Sequence, residues 1–301
     1  MRLVLEDDRG VIGMMPLSEI LDRVPEAIAE RISVAVYDRA TCEDYIAAAG
    51  SGRLRVHVKV DTGMNRLGFR HDNLKRTLPP LLASRNLQLD AVHTHFGTAD
   101  EPGHALFEMQ RQRFDAACET VSDLGAGPRL RHAANSAALL RDSRVWFDFV
   151  RPGLLLYGVV PPPLGSNIPL APVMSLTSRV VATKGVRVGE TVGYGGRFVA
   201  DRPVTLAVIP AGYADGLDRR LENHGHVLIR GRRAKIVGAV SMDMLTADVT
   251  DIDGVCPGDE VVFLGSQGDQ SIDAREMADW IGTIPYEILC RLGARVERKY
   301  E

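Results

Sequence analysis

Short apolar runs alternate with longer amphipathic stretches over about the first 170 residues of this sequence. Such alternation is typical of βα units, so it predicts a parallel sheet with crossover helices. The predicted strands are RLVL (2–5), SVAVYD (33–38), RVHVKVD (55–61), DAVHTHF (90–96), RLRHAAN (129–135) and FDFVRPG (147–153). The predicted helices between them include LSEILDRVPEAIAERI and HALFEMQRQRFDAACETVSDLG.

The pattern changes after the proline-rich segment VVPPPLGSNIPLAPV (159–173). Short β-runs now follow one another, separated by Gly, Pro and Asp, which predicts an antiparallel β domain with tight turns. A helical segment near 272–281 closes this part of the chain. We therefore predict two domains, residues 1–170 and 171–301.

The composition is that of an ordinary soluble chain, with 45% hydrophobic residues, 25% charged residues and a net charge of -3. This balance suggests neither a nucleic acid nor a membrane as partner, and the acidic start MRLVLEDDRG is unlike a signal peptide. The cysteines Cys42, Cys118, Cys256 and Cys290 lie far apart, without a C-x-x-C pair. We expect reduced thiols, no metal site and a cytoplasmic location.

Polar side chains follow the predicted parallel strands, where such folds gather their catalytic groups. Because strand residues alternate, His57, Lys59 and Asp61 share one face of RVHVKVD, and the valines share the other. Lys59 is then a covalent anchor for a carbonyl cofactor, an electrostatic support or a surface residue. His93 and His95 share a face in the same way, and we interpret His93 as a barrel histidine outside the site.

The segments RHAANSAALL and FVRPGLLLYG each supply polar or glycine backbone groups at a strand-to-helix turn. Ser136 and the turn at Gly153 would lie on consecutive strands, with N–H groups and a hydroxyl that can hold a phosphate. The phosphate sites of (β/α)8 barrels are often formed by the loops after strands seven and eight. The sequence therefore predicts a phosphate site at these two turns.

Eight stretches in order make the sequence resemble the alanine racemase family. They are VKVDTGMNRLGF, THFGTADE, HAANSAA, VRPGLLLYG, VGYGG, IPAGYADGLDR, VGAVSMDM and TIPYEI, and the similarity runs from about residue 33 to the end. The resemblance implies a (β/α)8 TIM barrel, a C-terminal antiparallel β domain and a homodimer. It also implies interconversion of L- and D-alanine by a two-base mechanism on a Schiff base of pyridoxal 5'-phosphate (PLP), supplying D-alanine for peptidoglycan.

The resemblance assigns cofactor contacts to particular positions. The phosphate would be held by Ser136, by the backbone of Gly153 and Leu154, and by Tyr286. Arg151 would donate to the pyridine nitrogen, and His95 would pack against the ring. Because a guanidinium does not give up its proton near neutral pH, it would leave the ring nitrogen unprotonated and the ring a weaker electron sink.

The resemblance also assigns groups around the substrate. Arg66 would lie near the ring oxygen and the substrate carboxylate, supported by Lys59, which family members often carry as a carbamate. From the partner subunit, Tyr213 would be the base that faces the L-enantiomer. Met242 would contact the substrate through its backbone, with Asp243 beside it.

The family's Schiff-base lysine lies on the first barrel strand, in a stretch resembling KANAYGHG that this sequence does not contain. The lysines are Lys59, Lys75, Lys184, Lys235 and Lys299. Counting back from the phosphate turns makes RLVL the third strand, so we expect an incomplete barrel with about six of eight strands, lacking roughly 60 to 70 residues. A truncated chain or a degenerate relative would explain this, and we expect the chain as given to be inactive.

Each assignment has a plain structural alternative. Ser136 is also explained as part of a helix N-cap, Arg151 as a surface arginine at a strand end, and Met242 as a core residue. Tyr213 and Tyr286 are also explained as half-buried packing residues. Taken together and in family order, these residues favour an enzyme site; a non-catalytic PLP-binding or regulatory dimer and a racemase of another amino acid are the alternatives.

Overall fold

The computed structural model describes residues 17–300, which form two compact units. The first unit runs up to Gly153 and includes Pro163–Ser166, and the second consists of Leu154–Pro162 and the chain from Asn167 onward. The predicted strand RLVL (2–5) lies outside the described residues. The predicted domain boundary at residue 170 stays a prediction.

The first unit contains a parallel sheet with the strand order β1-β2-β4-β5 and a short β3 paired with β2. Its strands are β1 (Val34–Val36), β2 (Leu54–Asp61), β3 (Phe69–Arg70), β4 (Leu87–His93) and β5 (Leu130–His132). Its helices are α1 (Leu17–Asp22), α2 (Val24–Ala29), α3 (Arg39–Ala49), α4 (Leu74–Thr77), α5 (Pro79–Leu82), α6 (Ala105–Asp123) and α7 (Ser136–Arg141). This alternation confirms the predicted α/β class and is that of a partial (β/α)8 barrel.

The central strand β2 shows the predicted two faces. Val56, Val58 and Val60 are 0% exposed and belong to the apolar core of the unit. Removing these side chains from water is the main contribution that holds the helices against the sheet. Lys59 and Asp61, on the other face, keep part of their surface accessible, so the strand presents its polar groups away from the helix layer.

Three strand predictions need correction. RLRHAAN (129–135) is a strand only as far as His132. FDFVRPG (147–153) forms no strand, because Phe147 has a φ of 50°, which breaks an extended run, and only a single parallel bridge joins Arg151 to Asn135. DAVHTHF (90–96) is a strand only as far as His93. Of the six predicted parallel strands, β1, β2, β4 and β5 are therefore present in the described part of the chain.

The second unit is an antiparallel β domain, as predicted. Its strands are β6 (Leu176–Arg179), β7 (Ala182–Val186), β8 (Thr191–Val192), β9 (Phe198–Val199), β10 (Val204–Ile209), β11 (His226–Ile229), β12 (Arg232–Ile236), β13 (Leu245–Asp248), β14 (Glu260–Gln267) and β15 (Gln270–Ile272). An eight-stranded sheet has the order β15-β14-β11-β12-β13-β10-β7 with β6 on β14, and β8 pairs with β9. The predicted helix is α8 (Ala274–Ile281); α9 (Pro285–Cys290) follows it and was not predicted.

The sheet of the second unit covers an apolar core of its own, which includes Leu228, Ile229 and Phe263. Separate cores of this kind are what two independently packed units require. None of the helices between residues 17 and 300 has the length and apolar character needed to cross a bilayer.

Candidate functional site

The loop after β2 carries Arg66 and is shaped by Asp61. The Asp61 carboxylate accepts hydrogen bonds from Gly63 N at 2.9 Å and from Asn65 N at 3.1 Å. Gly68 closes the loop with a φ of 132°, and a Cβ there would lie 2.6 Å from Asp61 N. The sequence DTGMNRLG therefore folds back on the strand end, which places Arg66 near enough to Lys59 for its charge to lower the pKa of that lysine.

Three cationic side chains of the first unit lie close enough to influence one another: Lys59, Arg66 and Arg151. Burial lowers the pKa of Lys59 from its ordinary value, and the charges of Arg66 and then Arg151 lower it further. Neighbouring positive charges disfavour an additional cation, so this region is suited to an anionic group. The structure thus brings together three of the residues that the sequence assigned to one site.

The loop after β4 carries His95 and is fastened by Gln110, which is fully buried on α6. The Gln110 amide donates to the His95 carbonyl at 3.0 Å and to Thr62 Oγ1 at 3.2 Å, and it accepts from Gly97 N at 2.9 Å. Burial, followed by the charge of Arg151, lowers the pKa of His95 to about 4. The imidazole is therefore neutral at pH 7 and presents an uncharged ring face.

Arg151 is half-buried, and its guanidinium is fixed by several hydrogen bonds to the interior of the unit. Its Nη2 donates to the Thr94 carbonyl at 2.8 Å and to the Ala133 carbonyl at 3.2 Å, and its Nη1 donates to His132 Nδ1. Its backbone N–H donates to the Ala134 carbonyl at 2.8 Å. Burial lowers the pKa of Arg151 to about 10, which leaves the guanidinium fully charged at pH 7. Several fixed contacts therefore orient one permanent hydrogen-bond donor.

Three buried histidines, His57, His93 and His132, lie behind Arg151, with potential ligand atoms within 4.8 Å of one another. His93 stacks on His132 with ring centroids 4.7 Å apart, and His57 Nδ1 lies 3.2 Å from His132 Nε2. Both ring nitrogens of His132 are thus used, one of them by a cation. Burial, followed by the charge of Arg151, lowers the pKa of His93 and of His132. Within the cluster, His57 and His132 are joined by a hydrogen bond, whereas His93 packs on His132 by stacking.

The predicted phosphate turn is built on the first residues of α7. Ser136 is 1% exposed and is the first residue of that helix, but the capping residue is Asn135, whose side chain accepts from Ala138 N at 2.9 Å. The Asn135–Arg151 bridge brings the segments that carry Ser136 and Gly153 together. A Cβ at Gly153 would meet nothing within 4 Å, so the space beside this backbone is open. Leu154, the next residue, belongs to the second unit and is 1% exposed.

Within the second unit, the structure brings Tyr213, Met242 and Asp243 together. Tyr213 N donates to the Ser241 carbonyl at 3.0 Å, and the next residue's N–H donates to the Met242 carbonyl at 3.1 Å. Arg295 joins the two segments, since its Nη2 lies 2.6 Å from Asp243 Oδ1 and 3.3 Å from the Met242 carbonyl oxygen. This arrangement fixes the backbone on which the phenol and the thioether are carried.

Arg295 also forms a two-point ion pair with Asp215, at 2.7 Å and 3.0 Å. Burial would raise the pKa of Asp215, but the hydrogen bonds from Arg295 and from Gly212 N hold it below its ordinary value. Tyr213 is 47% exposed, which fits a half-buried side chain as well as a site residue, and Met242 is 53% exposed and so does not lie in the apolar core of this unit. Tyr286, on α9, is 46% exposed.

Several supporting residues escaped the sequence-based interpretation: His132, Asp90, Gln110, Asp215 and Arg295. His132 and Asp215 lie inside quoted motifs, so their position was a usable signal. Gln110 is a polar residue on the apolar face of α6, a pattern that marks a buried hydrogen bond. Arg295 is far from its partner along the chain and carries no local signal.

Comparisons with known proteins agree with this architecture. Residues 15–161 match the family model described as "Alanine racemase, N-terminal domain", and residues 173–300 match "Alanine racemase, C-terminal domain". A relative from Citrifermentans bemidjiense called "Alanine racemase" is 43% identical over 253 residues, which are 82% of this chain and 66% of the relative. The chain thus covers slightly less than two thirds of that relative's length.

Two solved structures are similar over nearly the whole chain. The biosynthetic alanine racemase from Pseudomonas aeruginosa has a TM-score of 0.83 and 33% identity, covering 97% of this chain and 79% of that one. The alanine racemase from Bartonella henselae with covalently bound pyridoxal phosphate has a TM-score of 0.79 and 29% identity, covering 93% of this chain and 76% of that one. With its parallel sheet, its antiparallel β domain and the order of its motifs, this chain belongs to the alanine racemase family.

Proposed function

We propose that this chain carries the PLP-binding residues and one acid–base group of an alanine racemase, an isomerase that interconverts L- and D-alanine. The observation that carries the proposal is the buried, permanently charged guanidinium of Arg151, oriented by His132 and by two carbonyl oxygens beside the neutral His95. A donor that stays protonated, next to an uncharged aromatic face, fits a pyridine nitrogen and its ring.

The donor set of the first unit fits PLP in other respects. Ser136 and the backbone of Gly153 would hold the phosphate. Leu154 and Tyr286, which the family resemblance also assigns to the phosphate, belong to the second unit. Arg66, supported by Lys59, would neutralise the ring oxygen and the substrate carboxylate. When bound, PLP supplies the electron sink that makes removal of the amino acid's α-proton possible.

In the second unit, Tyr213 would take or return the α-proton on one face of the substrate. Met242 would contact the substrate through its backbone, and Asp243 would keep that backbone in place through Arg295. The exposure of Tyr213 and Met242 supports a homodimer in which both reach the site of the partner subunit. We place this activity in the cytoplasm, as a source of D-alanine for peptidoglycan.

A titration of the 301-residue chain with PLP tests the cofactor role of Arg151. Arg151→Lys replaces the planar donor with a point charge, so we expect it to weaken binding and to shift the absorption band of the bound cofactor. The matched control is Arg131→Lys in the same unit, a residue whose side chain is 47% exposed and paired with Asp148 at 3.2 Å. Equal affinities for the two variants would show that Arg151 does not contact the ring.

A second candidate function is a non-catalytic PLP-binding or regulatory dimer. Lys59 lies near Arg66 and Arg151, whose charges lower its pKa, and the family resemblance assigns it a supporting role and not the Schiff base. Borohydride reduction of the PLP-loaded chain should therefore leave no lysine stoichiometrically labelled, and D-alanine should not accumulate from L-alanine. Labelling of Lys59 would refute this assignment.

The coding sequence upstream of the Met1 codon separates the two candidates. An in-frame segment that bears a lysine and one further βα unit would support the racemase, whereas a stop codon without such a segment would support the non-catalytic relative. A racemase of another amino acid is tested by assaying the lysine-bearing protein with a panel of L-amino acids, because selectivity depends on the pocket volume.

A further inference from the structure

A continuous series of polar side chains crosses the interior of the first unit and ends at Arg151. Arg55 Nη2 donates to Asp90 Oδ2 at 2.6 Å, and His57 Nε2 lies 3.7 Å from the same oxygen. His57 Nδ1 and His132 Nε2 are 3.2 Å apart, and His132 Nδ1 contacts Arg151 Nη1. The relative exposures of the four inner residues are 8% for Arg55, 1% for Asp90, 2% for His57 and 0% for His132.

The two ends of this series fix the direction of every hydrogen bond within it. A guanidinium has no acceptor, so His132 Nδ1 must be unprotonated to accept from Arg151. A neutral His132 then carries its proton on Nε2 and donates it to His57 Nδ1. His57 in turn carries its proton on Nε2, which faces the Asp90 carboxylate.

We propose that Asp90 and His57 are positioning residues that impose the Nε2–H tautomer on His132 and thereby orient the Arg151 guanidinium. This inference rests on the proposed role of Arg151 as a donor to the cofactor ring. The Asp90 carboxylate, itself fixed by Arg55, favours the His57 tautomer that directs an N–H toward it. At 3.7 Å this interaction is electrostatic, and it acts inside the unit, where screening by water is weak.

The opposite tautomers would break the link to Arg151. If His57 carried its proton on Nδ1, His132 Nε2 would have to accept, and the His132 proton would move to Nδ1, directly opposite the Arg151 N–H. Two donors would then face each other in a buried site, which costs the desolvation of both groups. The Arg151 guanidinium would have to turn away from His132. The Arg151 N–H group proposed to donate to the cofactor ring would then change its position.

The tautomers are measured directly on the full 301-residue chain without cofactor. Long-range ¹⁵N–¹H NMR of histidine-labelled protein distinguishes protonated from unprotonated ring nitrogens, and His→Gln variants assign the signals. We expect the Nε2–H form for both His57 and His132. An Nδ1–H or doubly protonated His132 would overturn the proposal, whether or not the chain binds PLP.

Variants of Asp90 then test whether this carboxylate, through His57, sets the tautomer of His132. Asp90→Asn offers an amide that can donate as well as accept, so we expect a mixture of His132 tautomers and a PLP affinity about tenfold lower. Asp90→Glu keeps the carboxylate and should restore the single tautomer. His93→Gln is the matched control, since His93 stacks on His132 without forming a link in the series.

The readouts separate this inference from the proposed function. An unchanged His132 tautomer in Asp90→Asn refutes the positioning role, and so does an altered PLP affinity without a change of tautomer. If Asp90→Asn does not fold because the buried Arg55 has lost its partner, the wild-type tautomers and Asp90→Glu still decide the question. A wild-type chain with the expected tautomers that binds no PLP would contradict the proposed function and leave the hydrogen-bond direction standing.

Discussion

Acid should destabilise the first unit through His95, a consequence of the burial of its imidazole and of the cations around it. Burial first, and then Arg151, Arg66 and Lys59, lower the pKa of this imidazole from 6.5 to about 4. In the unfolded chain the side chain has an ordinary pKa of about 6.5 and takes up a proton at a higher pH than in the folded protein. Above pH 6.5 neither state is protonated, so His95 has no effect on the free energy of unfolding there.

The size of the effect follows from the two pKa values. Below pH 6.5 the His95 imidazole is protonated in the unfolded state, whereas in the folded state it stays neutral until the pH approaches 4. The free energy of unfolding therefore falls between pH 6.5 and 4. The loss due to His95 is about 2 kcal/mol at pH 5 and about 3 kcal/mol once the pH falls below 4. His93 and His132 add to acid sensitivity in the same direction.

Urea unfolding between pH 7.5 and 4.5 measures this contribution. Replacing Trp280 with Phe leaves Trp146, which lies in the first unit, as the fluorescent reporter of that unit. The free energy of unfolding of His95→Gln should fall less steeply with acid than that of the parent.

A parallel loss of stability by the parent and His95→Gln over the whole pH range would contradict this role of His95. Such a result would mean that His95 accepts a proton in the folded state as easily as in the unfolded chain. The cations would then have to be farther from the imidazole, or better screened by water, than the structure indicates.

Three further predictions concern the scaffold. Leu228→Ala, at a side chain with 0% exposure, should destabilise the second unit by about 3 kcal/mol in urea unfolding. Asn135→Ala removes the cap of α7 and should cost the first unit about 1 kcal/mol in the same assay. Gly212→Ala would place a Cβ 2.5 Å from the Met242 carbonyl carbon and should cost about 2 kcal/mol, seen as a lower melting temperature. Gly185→Ala, whose Cβ would meet nothing within 4 Å, is its control and should not lower the melting temperature in this way.

The local elements were largely readable from the sequence, because they depend on periodicity over a few residues. The alternation in RVHVKVD predicted both β2 and its two faces, and the amphipathic stretch that begins at His104 predicted α6. FDFVRPG has the composition of a strand, yet the positive φ of Phe147 interrupts it. A backbone angle of that kind is imposed by the surrounding fold and has no compositional signal.

The site residues also differ in how far the sequence predicted them. Motifs in family order identified the residues that would contact cofactor and substrate, such as Arg151, His95 and Tyr213. They could do so because each of these residues lies within a short, recognisable stretch of sequence. Whether those residues meet was decided by the fold, and the second unit shows Tyr213 beside Met242 through contacts between separate loops.

The contacts that the supporting residues make were decided by the tertiary structure. Asp90 and His57 come from different strands, and they meet His132 only because β2, β4 and β5 lie side by side in parallel. Arg295 reaches Asp215 across 80 residues of sequence. Sequence patterns report the neighbours of a residue along the chain, whereas protonation, hydrogen-bond direction and ion pairing depend on the neighbours in space, which only the folded chain defines.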